Sequence, residues 1–502
     1  MTCARLPVSF WVLLALGLAL RCLAINQPLI DAGILRQTQT AAATRSLLEQ
    51  SGFPLAARIP WVGDLDGRYV LEFPLYNYLA LGVQWVTGDL DLSGKLTSVI
   101  LWGLSFFLLQ PIWRRMLDGP QTFWANTLFV LAPLSVFYGQ AFMPEMLVQA
   151  LAFALLLATL RYAESPTLPR WTVTAAVGLV ALLVKLPEVS HLYFILAVMI
   201  FRAEGWRALF RPRYLIAGII TAAALKGWGN YADSVNAALL PEWSSKYTLP
   251  GFIGTFASRF TIRPWAMIVL YVGAFIVTGP AALAAASGLW IFVRQRRSGI
   301  LGLWLVSIAL FYLLWFGNGG TAQSYYNLPA LGPLCALFGI GVSAFLSWKK
   351  LAFWPRAGAF AVWATLLLCV APVLRYLFKQ DRQILAAAVW TRDHTLPDDL
   401  ILFRANHRWD MVDYYYNPVF AYYADRRTFV RTRLTPEPYL RAGLERASYA
   451  VVTLPPVPIV GLMGKVNHFR GSTGLQQESL DWLEGAGFRL LASEDGFAVF
   501  KR

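Results

Sequence analysis

Four ionisable side chains stand at the borders of apolar stretches, where an unpaired charge is costly. Asp31 follows the first apolar stretch, and Lys185 ends another, in Val184-Lys185-Leu186-Pro187. Glu145 directly follows Pro144, and Glu72 stands two residues before Pro74. A positioned carboxylate can take a proton from a weak nucleophile, and a fixed cation can stabilise a departing phosphate. These residue types therefore indicate proton transfer beside an anion, if the apolar segments bring them together.

Further polar residues share this placement. Tyr325 and Tyr326, with Gln323, open the run Gln323-Ser324-Tyr325-Tyr326-Asn327-Leu328-Pro329 before an apolar stretch. Arginine suits two-pronged contact with phosphate, which makes three arginines candidates beside Lys185: Arg36, Arg259 and Arg263. Each residue taken singly also has an ordinary explanation, because carboxylates cap helices, lysines extend to the membrane interface and tyrosines collect there.

The composition is that of a membrane protein. The chain has 502 residues, of which 57% are hydrophobic and 14% charged, against about 45–50% and about 25% in soluble domains. The apolar residues fall in long runs, which excludes a soluble enzyme, a disordered chain and a disulfide-stapled module. The four cysteines, Cys3, Cys22, Cys335 and Cys369, have neither metal-site nor disulfide spacing.

Eleven segments are apolar over roughly the length that a membrane helix needs, about 17–25 residues. They are 8–25, 93–110, 121–138, 145–160, 171–186, 189–201, 214–227, 265–292, 300–316, 326–346 and 357–377. The first has the alternative of a cleaved signal peptide. The sequence therefore predicts a polytopic α-helical protein with about eleven spans.

The basic residues orient these spans. If the N-terminus is cytoplasmic, the inside loops 111–120, 161–170, 202–213, 294–299 and 347–356 hold fourteen Lys and Arg against three Asp and Glu. This is the positive-inside bias, so the net charge of +15 reports topology and predicts no nucleic-acid partner. The odd span count places the C-terminus outside, and the candidate residues fall at the outer ends of their segments. We expect Asp31, Glu72 and Lys185 to meet in one outer pocket.

Two regions outside the spans have their own patterns. The loop 26–92 contains helical patterns at about 38–50 and 74–86, the second typical of an interfacial helix. Residues 378–502 alternate strand-like runs at 401–404, 428–431, 449–454 and 489–501 with helical patterns at 380–391, 436–447 and 476–485. We therefore predict a membrane module over 1–377 and a small outer α/β domain over 378–502. His394 and His407, with the nearby aspartates, are interpreted as a solvated surface.

Taken together, the motifs resemble glycosyltransferase family 39, which has the GT-C fold and includes protein O-mannosyltransferases and the lipid A aminoarabinose transferase. The resemblance covers the membrane part and is carried by Asp31, Arg36-Gln37-Thr38-Gln39-Thr40-Ala41, Glu72-Phe73-Pro74-Leu75-Tyr76, Met143-Pro144-Glu145, Lys185-Leu186-Pro187 and Tyr325-Tyr326-Asn327-Leu328-Pro329. Tyr422-Tyr423-Ala424-Asp425-Arg426 in the C-terminal part is also similar to bacterial members.

The resemblance implies a sugar donor on a polyprenyl phosphate and a reaction at the outer face of a bacterial inner membrane. It makes Asp31 the base and assigns Glu72 and Glu145 to the active site. Many members have a histidine near the tyrosine pair, whereas this chain has Gln323, a poorer ligand for a transition metal.

The chemistry predicted from these residues is transfer of one sugar to an acceptor hydroxyl with inversion. Asp31 takes the proton, with Glu72 as helper or alternative base, and Lys185 stabilises the phosphate. Two further alternatives are not decided by the sequence. Glu72 and Glu145 could share a divalent cation. The loop 228–264, which carries Trp228, Trp243 and Phe252, could be a mobile lid. The acceptor is a glycan, a glycolipid or a protein. Three alternatives remain: a ligase or oligosaccharyltransferase using a lipid-linked glycan, a lipid or solute transporter, and a binding scaffold.

Overall fold

The computed structural model is mostly helical, and the chain packs as two compact units. We name them the helical unit (1–25, 95–229 and 248–376) and the mixed unit (26–94, 230–247 and 377–502). The structure describes residues 6–63, 65, 67–70, 72–237, 253–295, 299–315, 323–347, 355–405, 411–431, 437–453, 477–494 and 496–502.

Nineteen α-helices lie in the described residues. The first fifteen are α1 (Val8–Cys22), α2 (Ile34–Glu49), α3 (Leu75–Thr87), α4 (Leu90–Trp113), α5 (Gly119–Leu131), α6 (Pro133–Tyr138), α7 (Glu145–Glu164), α8 (Leu168–Ser190), α9 (Leu192–Glu204), α10 (Pro212–Asn236), α11 (Ile262–Phe275), α12 (Pro280–Arg294), α13 (Ile300–Leu314), α14 (Leu331–Leu346) and α15 (Pro355–Leu377). The last four are α16 (Arg382–His394), α17 (Met411–Ala424), α18 (Glu437–Arg446) and α19 (Gln477–Gly485).

Within the described residues, five helical segments are long and apolar enough to cross a membrane, or six if one bent pair is counted as a span. Three are α4, α7 and α8, and the others are Ser324–Leu346 and Arg356–His394. Two shorter helices, α1 and α13, are also apolar. The chain is thus an integral membrane protein, and the count of eleven spans stays a prediction.

Two of the predicted spans are not single straight helices. The segment 121–138 is divided into α5 and α6, because Pro133 cannot donate the hydrogen bond that would continue α5. The segment 265–292 is bent by 109° between α11 and α12. Gly279, in this bend, has φ +57°, and a Cβ there would lie 2.8 Å from Cys369 Sγ. Apolar composition predicted a span at each place but did not predict these breaks.

A buried arginine fixes α1 inside the helical unit. Arg21 is 0% exposed and donates to the carbonyl oxygen of Gly17 and to Ser135 Oγ, both at 2.8 Å. Its guanidinium lies 3.6 Å from the ring centroid of Trp102. Hydrogen bonds and the aromatic face therefore compensate a charge that would be costly alone. These contacts fix the end of α1 within the helical unit, and the alternative of a cleaved signal peptide stays open.

A five-stranded sheet organises the C-terminal part of the mixed unit. Its strands are β3 (Leu400–Ala405), β4 (Arg427–Phe429), β5 (Tyr449–Thr453), β6 (Arg489–Glu494) and β7 (Phe497–Lys501), in the order β4-β3-β5-β7-β6. The strand β3 is parallel to β4 and β5, whereas β7 is antiparallel to β5 and β6. The strands fall where the β-branched and aromatic runs predicted them.

Alternating side chains give this sheet two apolar faces, as the period of a strand requires. Ile401, Phe403 and Val451 belong to a cluster that includes residues of α16 and α17. Leu402 and Val452 belong to a second cluster that includes residues of α18 and α19. The sheet is therefore covered on both sides, which is typical of parallel strands.

The segment after α1 packs with this sheet. Ile30 lies in the core that contains α16 and α17, and the N–H of Gly63 donates to the carbonyl oxygen of Thr428 at 2.8 Å. The short strands β1 (Ala57–Arg58) and β2 (Arg68–Tyr69) form a separate antiparallel pair. Packing thus groups 26–94 with the C-terminal residues, whereas composition alone assigns 26–92 to the membrane module.

Candidate active site

Two helix features of the helical unit set out a charged cluster. Glu145 is the first residue of α7, directly after Pro144. Lys185 lies inside α8 but has extended backbone angles, φ −161° and ψ 93°. Pro187 follows two residues later and cannot donate a helical hydrogen bond. The proline explains why α8 is interrupted here and why Lys185 can adopt a non-helical backbone conformation.

The lysine is held by two carboxylates. Lys185 Nζ donates to Glu145 Oε1 at 2.8 Å, and Glu188 Oε1 lies 2.8 Å from the same nitrogen. All three side chains are buried, with 6% or less of each exposed. Two carboxylates against one ammonium leave this group with excess negative charge when all are ionised.

Part of this group faces a small cavity. Glu145 and Glu188 line it together with Gln149 of α7 and Tyr325, and its volume is about 20 Å³. That space suffices for about one water molecule. The second oxygen of each carboxylate, Glu145 Oε2 and Glu188 Oε2, is buried without a hydrogen-bond partner among the described residues. The cavity is also lined by Val148, Ala152, Leu328 and Pro329, so it combines an apolar lining with carboxylate oxygens that can accept a hydrogen bond.

The predicted tyrosine pair lies against the lysine. Lys185 Nζ is 4.3 Å from the ring centroid of Tyr325 and 5.2 Å from that of Tyr326. Both tyrosines are buried in the 3₁₀ helix Ser324–Ala330. The negative faces of the rings attract the ammonium, so they help to fix its position. We call Glu145, Lys185, Glu188, Tyr325 and Tyr326 the lysine cluster.

In the mixed unit, Asp31 is fixed at the approach to α2. Its Oδ1 accepts hydrogen bonds from the Gly33 N–H at 3.0 Å and from Gln37 Nε2 at 2.6 Å. Asp31 is 7% exposed and Gln37 is 0% exposed. Hydrogen bonds to a carboxylate favour its charged form and fix its orientation. The side chain is thus held as a proton acceptor needs to be.

Arg36 and Glu72, predicted separately, form an ion pair. Arg36 Nη2 donates to Glu72 Oε1 at 2.7 Å, and the side chains are 10% and 21% exposed. Arg36 Nη1 also donates to Gln39 Oε1 at 3.4 Å. Glu72 is therefore tied to α2 by an arginine. We call Asp31, Arg36, Gln37 and Glu72 the aspartate network.

Two C-terminal tyrosines contact Asp91, and one of them also contacts the segment that carries Asp31. The hydroxyl of Tyr423 donates to Asp91 Oδ2 at 2.9 Å and accepts from the Leu29 N–H at 2.6 Å. The hydroxyl of Tyr422 donates to Asp91 Oδ1. Burial, and then the charge of Asp91, raises the pKa of both tyrosines. Both hydroxyls therefore stay protonated and able to donate at neutral pH.

Three predicted residues are not gathered into either group. Gln323 is half-buried and directly precedes the 3₁₀ helix of the tyrosine pair. Arg259 donates to the carbonyl oxygens of Thr255 and Leu313, both at 2.8 Å, so its guanidinium stabilises backbone. Arg263 is exposed in the first turn of α11.

The predicted lid lies partly outside the described residues, which leave out 238–252. The described residues include neither Trp243 nor Phe252, and Trp228 belongs to α10. His407 also lies outside them, whereas His394 is exposed.

The structure gives the divalent cation no support beyond the two carboxylates. Glu145 is paired with an ammonium and Glu72 with a guanidinium. In the part of the chain that the structure describes, no three His, Cys, Asp or Glu side chains group as metal ligands. The shared cation stays a prediction, and no chemical step here requires it.

Sequence reasoning missed Glu188 and the tyrosine–Asp91 contacts. Glu188 had a detectable signal, because it follows Lys185 by three residues, a spacing at which helical side chains meet. Asp91 had no such signal, because its partner Tyr422 lies 331 residues away. The two groups lie in different units, so the expected meeting of Asp31, Glu72 and Lys185 stays a prediction.

Neither a protein-family model nor a curated protein matches the chain in sequence. Solved structures match it in fold. A crystal structure of ArnT from Cupriavidus metallidurans bound to undecaprenyl phosphate has a TM-score of 0.61 at 13% identity, covering 98% of each chain.

Two other structures are similar. An Archaeoglobus fulgidus oligosaccharyltransferase in complex with Zn and sulfate has a TM-score of 0.55 at 12% identity, covering 89% of this chain and 68% of its own. The arabinofuranosyltransferase AftD from Mycobacteria has a TM-score of 0.56 at 15% identity, covering 99% of this chain and 40% of its own. At such low identity these similarities establish the fold, and the chain has the GT-C glycosyltransferase fold.

Proposed function

We propose that this chain is a membrane glycosyltransferase that moves a single sugar from a polyprenyl-phosphate donor to an acceptor hydroxyl. The observation that carries the proposal is the fold shared with ArnT, bound to undecaprenyl phosphate, over 98% of both chains. The lysine cluster and the aspartate network add the two kinds of group that this reaction needs.

The donor phosphate is assigned to Lys185. An ammonium has three N–H donors, and in the lysine cluster Glu145 and Glu188 compete for them with any incoming phosphate. The ring faces of Tyr325 and Tyr326 contact the nitrogen through a cation–π interaction, which leaves its N–H groups available to other acceptors. Lys185 then stabilises the charge that develops on the leaving phosphate.

The acceptor proton is assigned to Asp31. Its carboxylate takes the hydroxyl proton while the acceptor oxygen bonds to the anomeric carbon. The bond from that carbon to the phosphate oxygen breaks, and the polyprenyl phosphate leaves with the electron pair. One displacement without an enzyme-bound sugar gives inversion. Glu72, held by Arg36, is the alternative base.

The same proposal places the protein in a bacterial inner membrane. The N-terminus is cytoplasmic, and the C-terminal residues, with the reaction, lie on the periplasmic side. The support is the positive-inside pattern of the short loops.

The test uses the purified full-length protein in lipid nanodiscs. Undecaprenyl phosphate binding is measured first, and then transfer from a panel of radiolabelled undecaprenyl-phosphate sugars to a crude envelope extract. We expect saturable lipid binding and a labelled, base-stable glycoside from one donor. Lipid binding without glycoside formation, combined with uptake into sealed vesicles, would overturn transferase function in favour of transport.

A second candidate function is transfer of a lipid-linked oligosaccharide, favoured by the fold shared with the Archaeoglobus fulgidus oligosaccharyltransferase. The same assay separates them. A donor carrying several sugars would be used at least as well as a single-sugar donor by an oligosaccharyltransferase, and poorly by a single-sugar transferase.

A further inference from the structure

The mixed unit contains a second and much larger cavity that the proposed reaction does not use. It has a volume of about 590 Å³ and lies between α16, the segment 27–30 and Glu494 at the end of β6. Small-molecule sites in proteins span about 300–1,000 Å³. The cavity is thus large enough for a ligand of several rings.

One wall of the cavity is apolar and carries a fixed aromatic ring. Leu385, Val389 and Trp390 of α16 line it together with Ile30. The Trp390 ring stacks on His394, with centroids 4.3 Å apart and planes 11° from parallel. His394 Nδ1 lies 2.8 Å from the carbonyl oxygen of Trp390. The aromatic surface is therefore ordered before any ligand arrives, which lowers the cost of binding.

The cavity lining also includes polar residues, which we call the rim: Gln27, Gln380, Arg382, Asp393, His394 and Glu494. Gln380 Nε2 donates to Gln27 Oε1 at 3.2 Å, whereas Gln380 Oε1 is buried and finds no donor among the described residues. A buried acceptor left without a donor costs about 1–3 kcal/mol. The rim also holds Asp393 and Glu494 against one cation, Arg382. A ligand hydroxyl at the rim would satisfy the amide oxygen.

We propose that this cavity binds a saccharide that is neutral or cationic. A sugar ring has an apolar C–H face that suits Trp390 and a hydroxyl edge that suits the amides and carboxylates. An acyl chain would leave the rim unpaired, and an anionic headgroup would meet two carboxylates against one arginine. The inference rests on the proposed function in one respect, because it makes this saccharide part of the acceptor.

The experiment measures binding without any donor, so its result is independent of turnover. The full-length protein in nanodiscs is titrated with chitotriose, its de-N-acetylated form and maltotriose, and ring protons are observed by saturation-transfer NMR. We expect saturable binding of at least one trisaccharide. Trp390→Ala is expected to weaken it by about tenfold or more, as for a tryptophan at the centre of an interface.

A second variant avoids the apolar core beneath Trp390. Ala386 lines the cavity and is exposed, so Ala386→Phe fills the cavity without disturbing buried groups and is expected to abolish binding. Trp85→Ala is the matched control, because Trp85 is 86% exposed and lies in the same unit. The proposal is overturned if no trisaccharide binds, if both cavity variants bind as the parent does, or if the control loses binding equally.

Discussion

The lysine cluster and the aspartate network differ in how their carboxylates are paired. In the lysine cluster, two carboxylates surround one ammonium, and one oxygen of each carboxylate stays unsatisfied beside a small cavity. In the aspartate network, Glu72 pairs with one arginine and Asp31 accepts from an amide side chain and a backbone N–H. The first arrangement depends on a single cation. The second holds carboxylates in fixed orientations.

The largest effect is expected from the aspartate network. Asp31→Asn removes the proposed base while its amide oxygen can still accept from Gly33 and Gln37, so the fold is kept. We expect the turnover number to fall by about 10²–10⁴-fold, the contribution usual for general base catalysis. Donor affinity should change little. Radiolabelled transfer assays on the purified variant measure both.

The control for this variant is Asp89→Asn. Asp89 Oδ1 accepts from the Leu92 N–H at the start of α4, and asparagine caps helices equally well. Equal losses in the two variants would contradict a chemical role for Asp31.

In the lysine cluster, removing the single cation is expected to destabilise the folded protein, because two carboxylates depend on it. Lys185→Ala leaves two buried carboxylates without their cation, which we expect to destabilise the protein by about 3–5 kcal/mol. Thermal unfolding in nanodiscs measures this loss. Combining Lys185→Met with Glu145→Gln and Glu188→Gln removes every charge and should restore most of the stability.

The triple variant separates folding from binding. Its affinity for undecaprenyl phosphate should be lower than that of the parent protein, because the variant lacks the Lys185 ammonium to which the phosphate is assigned. Recovered lipid binding would show that Lys185 is structural only. Arg202→Ala, at an exposed position of the same unit, is the control and should alter neither property.

A smaller effect tests how the mixed unit orients Asp31. Tyr423→Phe deletes the hydroxyl that contacts both Asp91 and the Leu29 N–H, at an expected cost of about 1–3 kcal/mol. Hydrogen exchange of the Leu29 amide should accelerate. Tyr449→Phe on β5 serves as the control, and unchanged exchange in Tyr423→Phe would mean that other contacts hold the segment.

The smallest effect is expected at Glu72. Glu72→Gln keeps the shape of the side chain and an acceptor for Arg36, so the stability loss should be about 1 kcal/mol. Turnover should fall by far less than in Asp31→Asn. If the two losses are reversed in size, Glu72 is the base and Asp31 the orienting group.

Local sequence patterns predicted the sheet well and the helix breaks poorly. The strands were detectable because β-branched and aromatic residues alternate between two buried faces, as at Ile401 and Leu402. Helix α17 was not predicted, because its run of aromatic residues contains Pro418, which opposes a helix in isolation. Tertiary packing of Val419 and Phe420 in the core overrides that preference.

The candidate residues were predicted by type and place, whereas their pairing was not. Lys185 and Glu145 lie 40 residues apart, and no periodicity links two helices across such a distance. Arg36 was expected to contact phosphate, yet its partner in the structure is Glu72. Complementary charges in a sequence indicate that pairs will form, but the packing of helices decides which ones.

The buried arginine of α1 has a consequence for biosynthesis. Arg21 is made 114 residues before Ser135, the hydroxyl that receives its Nη2. At a synthesis rate of about 5–20 residues per second, the nascent chain carries that guanidinium for roughly 6–23 s before its acceptor emerges. Until then the guanidinium has the Gly17 carbonyl oxygen of its own helix as an acceptor. The contacts that bury Arg21 in the helical unit are therefore complete only after α6 has been made.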